Sequence, residues 1–341
     1  MSSSQEYAQI SPRESRVIGA LLGVHAGDSL GATLEFQPHG DITRHYPNGL
    51  RDIVGGGPFG WSAGHATDDT DMTRGVLLAY HDHNCLKTGD DVARLAGDYF
   101  IKWFRGDWPD RRPGTSPDDI GCATSIGLHK FKNKRDPDNA GAGKGSAGNG
   151  SLMRCIPTAL FQTDPEKLIE ESQRISKITH DDERCTVSCA AYNVIVSKLI
   201  DQVSPADAIE AGLSVAETLE GSPAGPVYSA IELGKSLSIA NMARDGPVPE
   251  LKGRCSGYVL ESLSIAIAAI LDSRSLEDIV VDVVRIGWDT DTNAAIAGGI
   301  LGARDGLTAI PARWRSILQF GEEFETIALK LMRRSDIQLS R

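Results

Sequence analysis

Apolar positions recur at helical spacing along most of the chain. Ile18, Leu21, Leu22 and His25 fall on one stripe, and Met72, Val76, Leu77 and Tyr80 on another. Leu95, Tyr99, Trp103 and Phe104 repeat the pattern, as do Val187, Tyr192, Ile195, Val196 and Leu199. Side chains three and four positions apart share a helix face, so each set predicts an amphipathic helix. Residues 259–271 and 279–286 are apolar on several sides and predict buried helices. Only short pieces such as Ile53-Val54 suit extended backbone, and no strand–helix alternation appears. The expected fold is an all-α bundle. No fixed-period repeat or composition shift marks a boundary, so one domain is expected over 12–341, behind a polar, serine-rich flexible arm at 1–11. Glycine-rich loops at 55–64 and 139–150, and a Gly/Pro loop around 221–226, separate the helical patterns. Loops this long inside a compact domain are more often functional than idle.

Composition narrows the function. The 341 residues can bury a sizeable core, and 40% hydrophobic with 24% charged residues is ordinary for a globular protein. The formal charge of −11 disfavours nucleic acid and anionic membrane as partners, because both are polyanions, and suits divalent cations. Apolar runs such as 265–271 and 294–303 fall short of the ~18 residues that a membrane span needs. Val17–Ala26 follows Arg13 and Arg16 like an export signal, but it contains His25 and continues into Gly27-Asp28-Ser29; it reads as a core helix. Six cysteines without a C-x-x-C point to reduced thiols and a cytoplasmic location. Cys185 and Cys189, near His180, read as buried thiols before they read as a metal site. A monomer is expected.

Two acidic stretches carry the chemistry. Thr67-Asp68-Asp69-Thr70-Asp71 directly precedes the helical run from Met72, and Thr67 is a natural N-cap. Aspartates in a first turn suit the helix dipole. Three within four positions repel one another, however, and call for a counter-ion. Asp289-Thr290-Asp291-Thr292-Asn293 repeats the pattern, with Asp289 lying 222 positions after Thr67. It opens a second helix, 294–303, whose Ala and Gly residues admit a close neighbour. Hard cations take several oxygen ligands, and two facing clusters of this kind can hold a pair of ions.

In register, these and other motifs resemble the ADP-ribosylglycohydrolase family. The resemblance spans almost the whole chain: Gly19-Ala20-Leu21-Leu22-Gly23, Gly27-Asp28-Ser29-Leu30-Gly31, Glu35-Phe36, Thr67-Asp68-Asp69-Thr70, Asp119-Ile120-Gly121, Gly148-Asn149-Gly150-Ser151-Leu152-Met153-Arg154, Thr179-His180, Gly257-Tyr258-Val259 and Gly287-Trp288-Asp289-Thr290-Asp291-Thr292-Asn293. It implies an all-α fold, a centre of two Mg²⁺ or Mn²⁺ ions, and Thr67, Asp68, Asp69, Asp289, Asp291 and Thr292 as ligands.

The implied reaction removes ADP-ribose from an ADP-ribosylated protein or a small conjugate, with Glu35 and Asp119 as candidate acid/base residues. The glycine-rich stretch Gly145–Ser151, with Gly148, Asn149, Gly150 and Ser151 as the binding residues, can offer backbone N–H groups to a pyrophosphate at a helix start, while Tyr258 and His180 can stack on or hydrogen-bond the nucleotide. Arg154 adds charge or forms a structural salt bridge, and Trp61 lines the site or packs in the core. Resemblance to the bacterial branch points to arginine-linked substrates, ahead of serine- or O-acetyl-linked ones. Two rivals remain. A prenyl-diphosphate enzyme would show D-D-x-x-D rather than D-D-T-D, and more than 6% aromatics. A non-catalytic ADP-ribose-binding or structural protein would not need the ligands and both acids together.

Overall fold

Local capping signals set where the helices start. Ser11 and Glu14 form a reciprocal capping box, the Ser11 N–H donating to Glu14 Oε2 at 2.7 Å and the Glu14 N–H to Ser11 Oγ at 3.2 Å. Thr67 caps its helix as expected, accepting from the Asp69 N–H at 3.3 Å. The structure is a computed structural model describing residues 10–86, 89–252 and 254–339. Residues 1–9 of the expected arm lie outside the described residues, while Ser11, its last residue, belongs to the first helix cap.

The described residues form sixteen α-helices. The first eight are α1 (Pro12–Gly31), α2 (His39–His45), α3 (Asp68–His81), α4 (Val92–Phe104), α5 (Cys122–Lys134), α6 (Ile156–Phe161), α7 (Pro165–Lys177) and α8 (Glu183–Ile200). The rest are α9 (Pro205–Glu220), α10 (Pro226–Ser236), α11 (Ile239–Asp245), α12 (Val259–Leu271), α13 (Leu276–Ile286), α14 (Thr290–Asp305), α15 (Ala312–Arg315) and α16 (Gly321–Leu339). Extended pairing among the described residues is limited to isolated bridges, Pro38 with Gly287, Gly56 with Trp61 and Gly148 with Tyr258. The all-α expectation holds. The periodic stripes face inward: Ile18, Leu21, Met72, Val76, Trp103, Tyr192 and Ile195 are all buried in one apolar cluster. Among the described residues, no helix is long and apolar enough to cross a membrane.

Two antiparallel helices from opposite ends of the chain form the axis of this bundle. Gly19, Gly23, Gly27 and Gly31 recur every four residues along α1 and press on the backbone of α14 and the turn after it. A Cβ at Gly23 would stand 2.1 Å from the Gly298 carbonyl oxygen, and one at Gly27 2.0 Å from that of Ala294. At Gly31 the obstacle is the Thr290 oxygen, at 2.3 Å. Only hydrogen fits these positions. The small residues of α14 do admit a close neighbour, and that neighbour is α1.

Candidate active site

The α1–α14 contact decides where the acids go. At its end Asp28, on α1, caps α3 from outside. Its Oδ2 accepts from the N–H groups of Thr67 and Thr70 at 3.1 and 3.2 Å and from the Thr70 hydroxyl at 2.5 Å. The Thr290 hydroxyl fastens the start of α14 to the Gly31 carbonyl at 2.7 Å. The two acidic stretches thereby face each other. Thr67 and Thr292 both donate to Asp69 Oδ2, at 3.2 and 3.3 Å, joining the clusters directly. Asp289 Oδ2 accepts from Asn149 Nδ2 at 2.7 Å, which ties the glycine loop to the second cluster.

Two triads result. Carboxylate oxygens of Asp28, Asp69 and Asp291 lie within 4.8 Å of one another, and so do those of Glu35, Asp119 and Asp291. Asp291 belongs to both. Four carboxylate oxygens, Asp28 Oδ1, Glu35 Oε2, Asp69 Oδ1 and Asp291 Oδ2, are buried without a hydrogen-bond partner. Burial, followed by the charges of Asp119, Asp289 and Asp28, raises the Glu35 pKa to about 9. Burial, with Asp289 as the charged neighbour, lifts Asp119 to about 6. It lifts Asp28 to about 6 despite the hydrogen bonds from Thr67 and Thr70. Asp68, Asp69 and Asp291 are pushed well above the usual carboxylate range by burial and then by neighbouring acids, first among them Asp119 for Asp68, Asp28 for Asp69 and Glu35 for Asp291. Asp289 is raised too, again by burial. A protein does not gather so many unpaired buried carboxylates without compensation. The set is all oxygen and fits hard divalent cations.

The acids open into a cavity of about 640 Å³, a size suited to a small-molecule ligand. Glu35, Asp68, Asp119, Asp289, Asp291 and Thr292 line it, with Gly148, Asn149, Gly150 and His180. Thr67 and Asp69 sit behind this lining, fully buried. Ser151 is turned away and accepts from the Ser176 hydroxyl at 2.9 Å. Tyr258 is half-buried outside the lining, where its hydroxyl accepts from Arg184 at 3.3 Å. The glycine loop is less free than its composition suggests. Gly145 donates to Asp182 Oδ2 at 2.7 Å, Ser146 to the Gly143 carbonyl at 3.1 Å, and Asn149 to that of Gly257 at 3.0 Å. The next helix, α6, starts only at Ile156, so the loop does not run straight into a helix N-terminus.

Asp71 points elsewhere. It accepts from the indole N–H groups of Trp103 and Trp108 at 2.9 and 2.7 Å, anchoring the segment between α4 and α5 that carries Asp119. Arg154 is fully buried, and among the described residues its guanidinium donates to the Gly150 carbonyl and the Thr179 hydroxyl oxygen rather than to a carboxylate, which removes the salt-bridge alternative. Trp61 stacks on His65 with ring centroids 4.9 Å apart, outside the main cavity lining. Cys185 and Cys189 are buried thiols, as expected.

Three features escaped the sequence reading. Asp28 was signalled only by Gly27-Asp28-Ser29, a polar break in an otherwise apolar helix. The others are Phe36 and Trp288, which adopt left-handed backbone at φ 64° and 67° beside Glu35 and Asp289. Their segments exchange backbone hydrogen bonds, Phe36 N–H to Trp288 O at 2.7 Å and Trp288 N–H to Gln37 O at 2.8 Å. This clasp holds one acid against the other. Strained residues held by their surroundings mark functional sites often enough to notice.

Comparison with known proteins converges on one family. The ADP-ribosylglycohydrolase profile matches residues 9–339. The chain is 29% identical over 321 residues to an ADP-ribosylarginine hydrolase, Tri1, of Pseudomonas putida, covering 94% of this chain and 78% of the relative. It is 27% identical over 312 residues to the ADP-ribosyl-[dinitrogen reductase] glycohydrolase of Rhodospirillum rubrum, covering 91% and 92%. A solved structure described as an ADP-ribosylglycohydrolase-related protein complex superposes with a TM-score of 0.72 at 28% identity, over 94% of this chain and 98% of that one.

Proposed function

Because the chain belongs to the ADP-ribosylglycohydrolase family, we propose that it is a cation-dependent hydrolase of ADP-ribosylated side chains, with ADP-ribosylarginine as substrate. It acts as a cytoplasmic monomer. The observation that carries this reading is the convergence of acids from both ends of the chain on one cavity, with four buried carboxylate oxygens unpaired.

Thr67, Asp68, Asp69, Asp289, Asp291 and Thr292 would hold two Mg²⁺ or Mn²⁺ ions. When bound, the ions supply positive charge that orients the ribose and acidifies water. The residues of the chain do the rest. Glu35 and Asp119 face the same cavity and share the proton transfers of the cleavage, one taking a proton from the water that attacks the anomeric carbon and the other giving one to the leaving nitrogen. Asn149 orients Asp289, and His180 with the glycine loop receives the ligand's oxygens. The acidic lining suits a departing guanidinium, and the names of the relatives include ADP-ribosylarginine hydrolases.

The test is turnover of arginine-, serine- and O-acetyl-linked ADP-ribose, with Mg²⁺ or Mn²⁺ and then with EDTA. The arginine conjugate should be cleaved fastest and EDTA should stop it. Tight ADP-ribose binding without turnover of any conjugate would favour a non-catalytic binder.

A further inference from the structure

His180 lines the cavity, and what a histidine can do there depends on which ring nitrogen carries the proton. The contacts behind the ring decide this. The Arg154 guanidinium is completely buried over the Phe100 ring, 4.6 Å from its centroid. It donates through one nitrogen to the Gly150 carbonyl and through the other to Thr179 Oγ1 at 2.7 Å. Thr179 Oγ1 also lies 2.7 Å from His180 Nδ1.

Arginine can only donate, so the Thr179 oxygen accepts from it. The Thr179 hydrogen then needs an acceptor. Among the described residues, the short contact to Nδ1 is the one available. Nδ1 is therefore the unprotonated nitrogen and Nε2 carries the hydrogen. Burial and the Arg154 charge also push the His180 pKa down to about 3, which keeps the ring neutral.

The Nε2 edge faces the glycine loop. A Cβ on Gly148 would sit 3.4 Å from Nε2, and one on Gly150 3.2 Å from Nε2 and 2.9 Å from Cε1. Glycine at position 150 makes room for the ring beside the cavity, and at Gly148 the ring lies at ordinary contact distance. The hydrogen bonds of the described residues include none from Nε2.

We propose that Arg154 and Thr179 are positioning residues that lock His180 as the Nε2–H tautomer, aiming one neutral donor into the cavity at an acceptor oxygen of the ligand. The ligand's identity as an ADP-ribose conjugate rests on the function proposed above; the tautomer does not. Arg154 thus acts on the site through two intermediaries while its charge stays buried.

The test is two-bond ¹H–¹⁵N correlation NMR on the full-length protein with labelled histidines, with His180 assigned by the loss of its signals in His180→Gln. The wild type should show Nδ1 unprotonated and Nε2 protonated. Thr179→Val removes the donor to Nδ1 and should shift the ring towards the other tautomer. It should also raise KM for ADP-ribosylarginine about five- to tenfold, the scale of one hydrogen bond, with little change in kcat. Thr179→Ser should restore both. A wild-type ring protonated on Nδ1, or a Thr179→Val ring with the wild-type pattern, would overturn the proposal. If Thr179→Val does not fold, the wild-type spectrum still decides. If the wild type does not cleave ADP-ribosylarginine, the proposed function fails while the spectra judge the tautomer independently.

Discussion

Gly27→Ala tests how the fold builds the site. In an isolated helix, alanine is favoured over glycine by about 1 kcal/mol. In α1 the new methyl would meet the Ala294 carbonyl oxygen at 2.0 Å, where ordinary contact begins at 3.4 Å, so the helices must part by about 1.4 Å. The obstacle is backbone and cannot rotate aside. Overpacking of this kind costs about 1–3 kcal/mol or more, which outweighs the helical gain and leaves the variant less stable. The larger effect is functional. Asp28 is the next residue on α1, and Asp291 lies one turn before Ala294 on α14. A shift of that size exceeds the ~0.2 Å tolerance of metal–ligand distances and can cost about a hundredfold in turnover. Urea denaturation and kcat/KM for ADP-ribosylarginine measure the two effects. Gly40→Ala is the control: a Cβ there meets nothing within 4 Å, so it should be neutral or slightly stabilising. Gly27→Ala with wild-type stability and kcat/KM would refute the idea that backbone contact between α1 and α14 sets the geometry of the acids.

Asp68→Ala and Asp291→Ala should each abolish turnover while the helical circular-dichroism signal persists; full activity in either, with cation supplied, would contradict the proposed centre. Mg²⁺ or Mn²⁺ at a hundred times its Kd should stabilise the protein by about 2.7 kcal/mol in urea titrations. EDTA should reverse this, and a midpoint indifferent to divalent cations would count against the site. His25 should make the protein acid-sensitive. Its Nε2 accepts from the Phe320 N–H at 3.2 Å, and burial lowers its pKa from 6.5 to about 4. The neutral form is the folded one, so its contribution is whole above pH 6.5 and fades as pH falls towards 4, by about 3 kcal/mol in all. His25→Gln should lack that part of the pH slope.

Much of this was legible because the signals were local. The stripes of α1, α3, α4 and α8 follow from spacing alone, and the Thr67 cap from residue type. The two acidic stretches were also visible, as was the tight packing implied by the alanines and glycines of α14. The partner was harder to name. Gly19, Gly23, Gly27 and Gly31 announce a small-residue face on α1, but nothing local says which helix covers it. Asp71 shows the same limit from the other side: it shares its stretch with Asp68 and Asp69, and only two distant indoles turn it away. The glycine loop looked open because its acceptors, Asp182 and Gly257, come from segments more than thirty residues away. Direction and partnership are tertiary facts.

The separation of the two acidic stretches also has a consequence during synthesis. Translation proceeds at roughly 5–20 residues per second, so about 10–45 s pass between the emergence of Thr67 and of Asp289. Throughout that interval the nascent chain carries one half of the constellation and α1 has no α14 to rest against. A prematurely terminated product would lack both the second acidic stretch and the helix on which the glycine face of α1 packs.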